Sequence, residues 1–332
     1  MTPTPLIAPR STPQPAKRTA LIVAGPTASG KSALALALAE RLGGTVINAD
    51  SMQVYRELRI LTARPTPAEE AAVPHVLYGV RPAREPGSAA WWRDEALAAI
   101  DAAWAAGQLP LLCGGTGLYF SSLIDGLSPM PPVSDAARQE ARETLKAIGP
   151  AALHTMLAAV DPTTAARLRP TDSQRVARAW EIWRSSGRGL ASWQADRGAP
   201  ARWQFRAVLL DPPRELLREA IEHRFATMLA AGALAEVQAL LGLELDMALP
   251  AMRAHGVPEL AAYLGGKISI EEAARRARLV TGQYAKRQMT WFRHHALADR
   301  DATHTIHARF AGLAQLSELN RGQLLKFIET PA

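Results

Sequence analysis

The apolar positions of the first 125 residues fall into short continuous runs, separated by longer alanine-rich segments. Such short runs are typical of strands that are buried on both faces of a parallel sheet. They predict strands at Ala20–Gly25, Thr45–Asp50, His75–Val80 and Leu109–Gly115. The intervening and following segments predict helices at about Lys31–Leu42, Trp91–Ala106 and Thr116–Asp125. Strands that alternate with helices indicate an α/β fold with a doubly wound parallel sheet.

The pattern changes after a cluster of prolines at 129–132. From Ser134 to about Trp203 the chain shows only helical segments and turns. An apolar run at Phe205–Asp211 then predicts a returning strand, and Thr303–Ala308 predicts a last short strand. Long helices lie between these two runs, and a terminal helix follows. The simplest interpretation is one α/β core that is interrupted by a helical insertion.

This pattern divides the chain into an α/β core at 18–130 and 204–332 and a helical insertion at 131–203. Residues 1–17 are rich in proline and threonine and lack the apolar stretch of a secretory signal, so we predict a disordered tail. A transit peptide is the alternative interpretation of this tail, because it contains basic residues and no acidic ones.

Composition and charge narrow the classes of function. The chain has 332 residues and a formal net charge of +7, which favours an acidic partner such as nucleic acid or a phosphorylated ligand. Residues 131–206 hold twelve basic and seven acidic side chains, and eleven of the twelve are arginines, which suit forked contacts to phosphate. Cys113 is the one cysteine, which excludes an internal disulfide and a cysteine-based zinc site. A single cysteine fits the reducing cytoplasm, where we expect this protein. No apolar run approaches the roughly 18 to 20 residues that cross a bilayer, so we expect no membrane contact. We also expect a monomer.

A phosphate-binding motif follows the first predicted strand and precedes the first predicted helix. It matches G-x-x-x-x-G-K-[ST] in full and has the context that this motif requires. The glycines let backbone N–H groups surround phosphate oxygens, Lys31 supplies a charge, and the hydroxyl of Ser32 is a candidate ligand for Mg²⁺. A chance glycine-rich turn is the alternative. The predicted phosphate-binding residues are Gly25, Pro26, Thr27, Ala28, Ser29, Gly30, Lys31 and Ser32.

Two further segments end at the same predicted sheet edge. Leu109–Gly115 ends in Cys-Gly-Gly and lacks the terminal aspartate of ATPase motors and GTPases, which leaves small kinases and other users of a diphosphate. Asp50 lies at the carboxyl end of the second strand, where a carboxylate can accept a proton or bind Mg²⁺. Thr116 offers a hydroxyl beside glycines. From local pattern alone, each of these two residues is equally well read as a helix cap.

Taken together, the motifs resemble the tRNA dimethylallyltransferase (tRNA isopentenyltransferase) family of bacterial type. They occur in family order from about residue 20 to 295, and the combination is specific although the phosphate loop alone is not. The matching stretches are GPTASGKS at 25–32, DSMQVY at 50–55, TARP at 62–65, GGTGLY at 114–119, DSQRVARA at 172–179, Arg224-Phe225 with Met228-Leu229, and KRQMTWFR at 286–293.

The resemblance implies a reaction and roles for the residues. Members of this family transfer a dimethylallyl group from dimethylallyl diphosphate to the exocyclic amine of the adenosine just 3′ of the tRNA anticodon, and pyrophosphate leaves with the help of Mg²⁺. The implied catalytic residues are Asp50 as general base, Thr116 at the reacting centre, and Lys31 on the leaving pyrophosphate. The loop at 25–32 would then hold the donor's diphosphate, with Ser32 as the metal ligand.

The acceptor adenine must leave its loop to reach an active site, which gives the basic insertion a purpose. In a helix from about Asp172 to Ser186, Val176, Trp180 and Trp183 fall on one stripe, with Gln174, Arg175 and Arg178 on the other side. An ordinary solvated face is the alternative from spacing alone. The tRNA contacts implied by the resemblance are Asp50, Ser51, Met52, Gln53, Thr116, Arg138, Gln174, Arg175, Val176, Ala177, Arg178 and Arg253.

Three other functions share parts of this pattern. A small-molecule P-loop kinase shares the phosphate loop but tends to be shorter and to lack a basic helical insertion. An adenylate isopentenyltransferase shares the core motifs, and the arginine-rich insertion is the feature that distinguishes the two. A non-catalytic RNA-binding protein is disfavoured because Lys31, Ser32, Asp50 and Thr116 are all present.

Overall fold

One parallel sheet organises the larger part of the chain. The computed structural model describes residues 18–312 and 316–329. The strands in those residues are β1 (Thr19–Ala24), β2 (Gly44–Asn48), β3 (His75–Val76), β4 (Leu109–Gly114), β5 (Gln204–Leu210) and β6 (Thr303–Ile306). They form a sheet in the order β3-β2-β4-β1-β5-β6, and every neighbouring pair is parallel. The predicted fold class, an α/β fold with a doubly wound parallel sheet, is therefore confirmed.

Helices connect these strands and follow them. They are α1 (Lys31–Leu42), α2 (Pro67–Ala72), α3 (Ala89–Ala105), α4 (Gly117–Ile124), α5 (Asp135–Val160), α6 (Pro162–Ala165), α7 (Ser173–Ser186), α8 (Leu190–Ala195), α9 (Arg214–Ala230), α10 (Ala233–Leu241), α11 (Val257–Leu264), α12 (Ile270–His294) and α13 (Glu318–Glu329). Among the described residues no single helix is long and apolar enough to cross a membrane; only α9 and α10 taken together, across a bend of 67°, reach that length and hydropathy.

The central strands are buried because they carry almost only apolar side chains. Val23 of β1 and Leu111 of β4 are fully buried, and Leu34 and Leu38 of α1 pack into the same apolar core. Since β1 lies between β4 and β5, the loop between β1 and α1 emerges at the centre of the sheet. The loops that follow β2 and β4 emerge beside it, because the carboxyl ends of parallel strands share one edge.

The predicted strands are observed with shifts of one or two residues at most of their ends. The largest difference is β3, which was predicted as His75–Val80 and contains only His75–Val76. Leu77 and Gly79 have φ angles of 65° and 60°, so the backbone turns into the left-handed region and leaves the sheet. The continuous apolar run in this segment did not reveal that turn.

The chain divides into two compact units. The α/β unit comprises residues up to Ile124 and from Arg202 onward, and the helical unit comprises Asp125–Ala201. The sequence placed the insertion at 131–203, a few residues later at its start. The earlier start has a physical reason, since Gly126 packs so closely against the backbone of Gly198 that no side chain fits between them. The predicted tail at 1–17 lies outside the described residues.

Candidate active site

The loop between β1 and α1 has the backbone geometry of an anion cradle. Ala28 and Gly30 have φ angles of 68° and 90°, and the N–H of Ser29 donates to the carbonyl of Pro26 at 3.2 Å. Helix α1 begins at Lys31, directly after the left-handed Gly30. A helix that starts behind a tightly curled loop presents free N–H groups and a positive dipole end to an anion.

Two buried polar side chains in this loop point to a charged ligand. Lys31 is buried, and its ammonium donates one long hydrogen bond of 3.4 Å to the carbonyl of Pro26. Burial lowers the pKa of Lys31, and the negative charge of Asp50 acts in the opposite direction. The hydroxyl of Ser29 is fully buried and has no partner among the described residues. An anion in the cradle would supply a partner for both groups.

The loop after β2 fixes the carboxylate of Asp50. The backbone N–H of Asp50 donates to the side-chain oxygen of Asn48 at 2.8 Å, and the Asp50 carboxylate accepts from the N–H of Met52 at 2.9 Å. Residues 51–54 form a turn, and no helix begins there, so the interpretation of Asp50 as a helix cap is wrong. The carboxylate closes an Asx-turn, which holds it in place at the sheet edge while it remains half-exposed.

The loop after β4 is joined to the loop after β2 through Thr116. The Thr116 hydroxyl accepts from the N–H of Ser51 at 3.0 Å, and the Thr116 N–H donates to the carbonyl of Ala49 at 3.2 Å. The hydroxyl is thus engaged across two loops, and not with the first turn of α4. Tyr284 hydrogen-bonds to the same Thr116 side chain, and burial, followed by the charge of Asp50, raises the pKa of Tyr284 to about 12. The tyrosine is therefore a neutral phenol near neutral pH.

A glutamine of α12 joins the third loop to the first. The side-chain carbonyl of Gln288 accepts from the N–H of Thr27 at 2.8 Å and from its hydroxyl at 3.2 Å. Its amide group donates to the carbonyl of Gly115 at 2.9 Å. Gln288 is buried, so its bond to Gly115 is shielded from water, whereas the bonds to Thr27 are only partly buried. The sequence analysis quoted the motif that contains Gln288 but assigned this residue no role.

Asp50 and Thr27 line a common cleft. Arg224 of α9 lines this cleft; burial lowers its pKa, and Asp50 opposes that shift. Its guanidinium donates a long hydrogen bond of 3.5 Å to the carbonyl of Thr62. The other cleft-lining residues form an apolar wall and an aromatic-rich side, and they are Met52, Leu61, Thr62, Ile221, Phe225, Met228, Ala254, His255, Thr281 and Tyr284.

Arg224, His255 and Tyr284 are therefore site residues that the sequence analysis did not predict. Arg224 belongs to a stretch quoted for the family resemblance, which was the available signal. The rings of His255 and Tyr284 lie 4.9 Å apart between their centroids. Burial lowers the pKa of His255, which favours the neutral imidazole, while the charge of Glu259 opposes the shift. The cleft thus combines one carboxylate, one guanidinium, a neutral imidazole and a neutral phenol.

The residues predicted to contact tRNA in the α/β unit differ in their environment. Ser51 and Met52 are half-buried, and Met52 lines the cleft. Gln53 is buried, and its amide donates to the carbonyls of Thr62 and Ala63 at 2.9 Å each, so this side chain stabilises the turn. Arg253 is exposed and lies outside the residues that line the cleft.

In the helical unit, α7 has one apolar and one polar face, as its spacing predicts. Val176 and Trp180 belong to the apolar core of this unit, and so does Ala177. The side chains of Val176 and Ala177 are therefore not available to RNA, although the resemblance included them in a contact stretch. The exposed predicted residues of this unit are Gln174, Arg175, Arg178 and Arg138. Arg178 pairs with Glu181 and Arg138 with Asp135, each at 3.1 Å on the helix surface.

The donor set for a metal ion is sparse. Within residues 18–312 and 316–329 no group of three or more His, Cys, Asp or Glu side chains is arranged to hold a metal ion. Ser32, in the first turn of α1, is exposed, and its hydroxyl hydrogen-bonds to Cys113. Burial raises the pKa of the Cys113 thiol to about 11, and Lys31 and Ser32 oppose that shift, so the thiol stays protonated. A hard oxygen donor at a phosphate cradle suits Mg²⁺ that takes its other ligands from a substrate and water.

Comparisons with known proteins agree with one another. A family model described as IPP transferase matches residues 53–295, and one described as isopentenyl transferase matches residues 18–79. The chain is 59% identical to a tRNA dimethylallyltransferase of Granulibacter bethesdensis, over 94% of this chain and 98% of that protein. A crystal structure of a full-length tRNA isopentenylpyrophosphate transferase from Bacillus halodurans is 31% identical, with a TM-score of 0.65 over 94% of this chain and 97% of that one. A eukaryotic dimethylallyltransferase described as acting on tRNA is 26% identical, with a TM-score of 0.68 over 82% and 69% of the two chains.

Proposed function

The chain belongs to the tRNA dimethylallyltransferase family and is a prenyl transferase that acts on tRNA, and we propose that its donor is dimethylallyl diphosphate, held on the loop at 25–32. The observation that carries this proposal is the cleft in which the phosphate loop, the Asp50 carboxylate and an apolar wall come together. The acceptor that we propose is the exocyclic amine of the adenosine 3′-adjacent to the anticodon.

The diphosphate has partners in the cradle. Backbone N–H groups at the start of α1, the ammonium of Lys31 and the hydroxyl of Ser29 would receive its oxygens. Arg224 brings a half-buried guanidinium to the neighbouring cleft. The carbon–oxygen bond of the donor breaks during transfer, so negative charge grows on the leaving pyrophosphate. Buried cations stabilise such growing charge more strongly than exposed ones, because water screens them less.

Mg²⁺ fits this donor set as a partner of the diphosphate. Ser32 would hold it, together with phosphate oxygens and water, since Mg²⁺ commonly takes only one or two ligands from protein. When bound, the ion would neutralise part of the charge on the diphosphate. The rest of the chemistry lies with the side chains of the cleft.

Asp50 is placed to accept the proton of the acceptor amine. As the amine nitrogen bonds to the allylic carbon, the carbon–oxygen bond to pyrophosphate breaks and one N–H proton must leave. Asp50 is half-exposed, held by Met52, and lies in the same cleft as Thr27 of the phosphate loop. Thr116 and Tyr284 form a hydrogen-bonded pair near Asp50, and this pair can orient the acceptor adenine.

The apolar wall suits the five-carbon chain of the donor. Leu61, Ile221, Phe225 and Met228 line one side of the cleft. Burial of a short branched chain against such a wall is favourable and excludes water from the allylic carbon. Water would otherwise compete with the amine as nucleophile.

The helical unit supplies exposed arginines to the RNA. We propose that Gln174, Arg175 and Arg178 on α7, together with Arg138 on α5, contact the anticodon stem-loop. The surface ion pairs of Arg178 and Arg138 are weak and can be exchanged for phosphate contacts at little cost. The predicted monomeric state stays a prediction, and the cytoplasm remains the expected location because the substrate is tRNA.

The proposal is tested by incubating the protein with Mg²⁺, radiolabelled dimethylallyl diphosphate and unmodified tRNA, and then digesting the RNA to nucleosides. We expect label in one modified adenosine, none in free AMP, and no requirement for ATP. A tRNA with guanosine in place of the adenosine 3′ of the anticodon is the matched control. Label in AMP alone would identify an adenylate isopentenyltransferase, and ATP hydrolysis without label in either acceptor would identify a kinase.

A further inference from the structure

A segment near the C-terminus contacts the phosphate loop from outside the catalytic motifs. After β6, the Nε of Arg309 donates to the carbonyl of Ala28 at 3.0 Å, and the N–H of Phe310 donates to the carbonyl of Ser29 at 2.9 Å. Both acceptors are carbonyl groups in the middle of the phosphate loop. Arg309 and Phe310 lie beyond residues 53–295, which match the family model, and the sequence motifs do not include them.

These two hydrogen bonds act on the part of the loop whose backbone is least relaxed. Ala28 has a φ angle of 68°, in the left-handed region that residues other than glycine avoid because Cβ crowds the carbonyl oxygen. Such a conformation persists only where the surrounding structure holds it. Carbonyl oxygens also repel phosphate oxygens, so a cradle of N–H groups requires the loop carbonyls to turn outward. Arg309 donates a hydrogen bond to the Ala28 carbonyl and so holds it outward, and the N–H of Phe310 does the same for the Ser29 carbonyl.

The segment can hold the loop because it is itself anchored. The ring of Phe310 is buried in the apolar core with Leu34 of α1 and Ile306 of β6. Its backbone lies so close to Gly30 that a side chain at position 30 would collide with the Phe310 carbonyl. The partner of the loop is therefore a fixed part of the fold. Arg309 also borders a second cleft, together with Arg224 and His223.

We propose that Arg309 is a positioning residue for the diphosphate: its hydrogen bond to the Ala28 carbonyl keeps the phosphate loop in its anion-binding conformation. This inference rests on the proposed binding of a diphosphate by the loop. Arg309 acts through the backbone of Ala28 and not as a group that touches the reacting atoms. Its loss should therefore weaken binding of the donor and leave the chemical step and the tRNA site largely unchanged.

The first measurement is the dissociation constant of dimethylallyl diphosphate, and of inorganic pyrophosphate, for the full-length protein in the presence of Mg²⁺, by calorimetry. We expect Arg309→Ala to raise both constants about tenfold, the size associated with one charge-assisted hydrogen bond. KM for the donor should rise by a similar factor, with kcat and KM for tRNA within about twofold of wild type. Arg300→Ala, at an exposed arginine in the same part of the chain, is the matched control and should bind like wild type.

A double-mutant cycle separates positioning from charge. Glycine adopts positive φ readily, so Ala28→Gly should make the loop less dependent on Arg309. We expect Arg309→Ala to weaken diphosphate binding less than about threefold in the Ala28→Gly background, against tenfold in the wild-type background. Arg309→Lys keeps the charge but not the geometry of the guanidinium, and should restore binding only in part.

Three results obtained with the variants would overturn the inference. Arg309→Ala binding like wild type would remove any role, and equal factors in the two backgrounds would mean that Arg309 acts through its charge alone. Full activity of Arg309→Lys would point to charge as well. The thermal unfolding of each variant is measured as well, and Arg309→Gln replaces Arg309→Ala if the alanine variant does not fold.

The binding of the wild-type protein separates this inference from the proposed function. A wild-type protein that binds pyrophosphate but not dimethylallyl diphosphate would refute the proposed donor, and the dissociation constants of pyrophosphate would then test the role of Arg309. If wild type binds neither ligand, both proposals fail.

Discussion

The catalytic loops of the α/β unit and the polar face of α7 in the helical unit hold their functional side chains in opposite ways. At these loops, the side chains of Lys31 from α1 and Gln288 from α12 are buried. Asp50 and Thr116 are fixed by hydrogen bonds. The bonds that join one loop to another link residues far apart in the chain: Thr27 and Gln288 are 261 residues apart, and Ser51 and Thr116 are 65 residues apart. On α7, Gln174, Arg175 and Arg178 are exposed, and Arg178 forms an ion pair with Glu181, three residues away in the same helix.

This difference in burial follows from the two functions, which are group transfer at the loops and RNA binding on α7. Group transfer needs charges that stay aligned and are poorly screened, which requires burial and a rigid frame of hydrogen bonds. Binding to an RNA backbone needs positive charge that water and phosphate can both reach, and releases counterions when contact forms. We therefore expect substitutions in the loops to change catalysis steeply, and substitutions on α7 to change RNA affinity gradually.

The largest effect is expected at Asp50. Asp50→Ala should lower kcat about a thousandfold, within the range found for the loss of a general base, while tRNA binding remains close to wild type. Single-turnover transfer of label and a filter-binding assay with tRNA measure the two quantities. Asp50→Asn retains the acceptor oxygen for Met52 and separates loss of the base from loss of the turn. Turnover above about one tenth of wild type in both variants would remove Asp50 as the base.

A smaller but still steep effect is expected at Gln288. Gln288→Leu leaves the Thr27 N–H and the Gly115 carbonyl without a partner in a buried position, so kcat/KM for the donor should fall about 10- to 100-fold. Steady-state kinetics with varied donor measure this. Gln283→Leu makes the same change at an exposed position of α12 and is the control. Equal activity of the two variants would mean that the link between the two loops is not needed.

A gradual effect is expected on α7. Arg175→Ala should raise KM for tRNA about fivefold and reduce the salt dependence of binding by roughly one phosphate contact, with no change in stability. Titrations of tRNA at several salt concentrations measure both. Lys146→Ala removes one positive charge elsewhere in the helical unit and should change KM for tRNA less than Arg175→Ala does.

Trp180→Ala should give the opposite pattern, since removing a buried indole should cost about 3–5 kcal/mol of the unit's stability. If Arg175→Ala lost stability like Trp180→Ala, the two faces of α7 would not be distinct.

The smallest effect concerns pH. Burial lowers the pKa of His304, so the native α/β unit holds this side chain neutral at a pH where the unfolded chain, with a pKa near 6.5, begins to bind a proton. Its contribution is therefore complete well above pH 6.5 and is lost progressively as the pH falls through that value. The free energy of unfolding should decline between pH 7.5 and 5.5, by at most about 1.4 kcal/mol per pH unit for one such group. His304→Gln should flatten that decline, and an unchanged slope would assign it to other groups, including His255, whose pKa burial also lowers.

Local patterns predicted much of this molecule. Continuous apolar runs located the central strands because a strand buried on both faces has few alternatives, and the predicted helix at 31–42 has the observed bounds. The phosphate motif was recognisable because its residue types serve one tight turn. The spacing of Val176, Trp180 and Arg175 separated the faces of α7, since helical periodicity decides burial within a single element.

Contacts between distant segments were not predictable in the same way. Gln288 looked like one polar residue in a long helix, and Arg309 belonged to no motif; only the fold places them against Thr27 and Ala28. The interpretation of Asp50 as a helix cap was open from the sequence and was excluded only by the turn that follows it. The end of β3 depended on the left-handed backbone of Leu77, which no residue type announces.

The sequence by itself determined the α/β class, the position of the phosphate loop and the polar face of α7, because each depends on neighbours along the chain. The tertiary structure alone decided which side chains join the loops, which charged side chains are buried and which residues line the donor cleft. Those properties depend on residues such as Ala28 and Arg309, 281 positions apart, whose proximity results from the packing of the whole sheet and is not recorded in any local pattern.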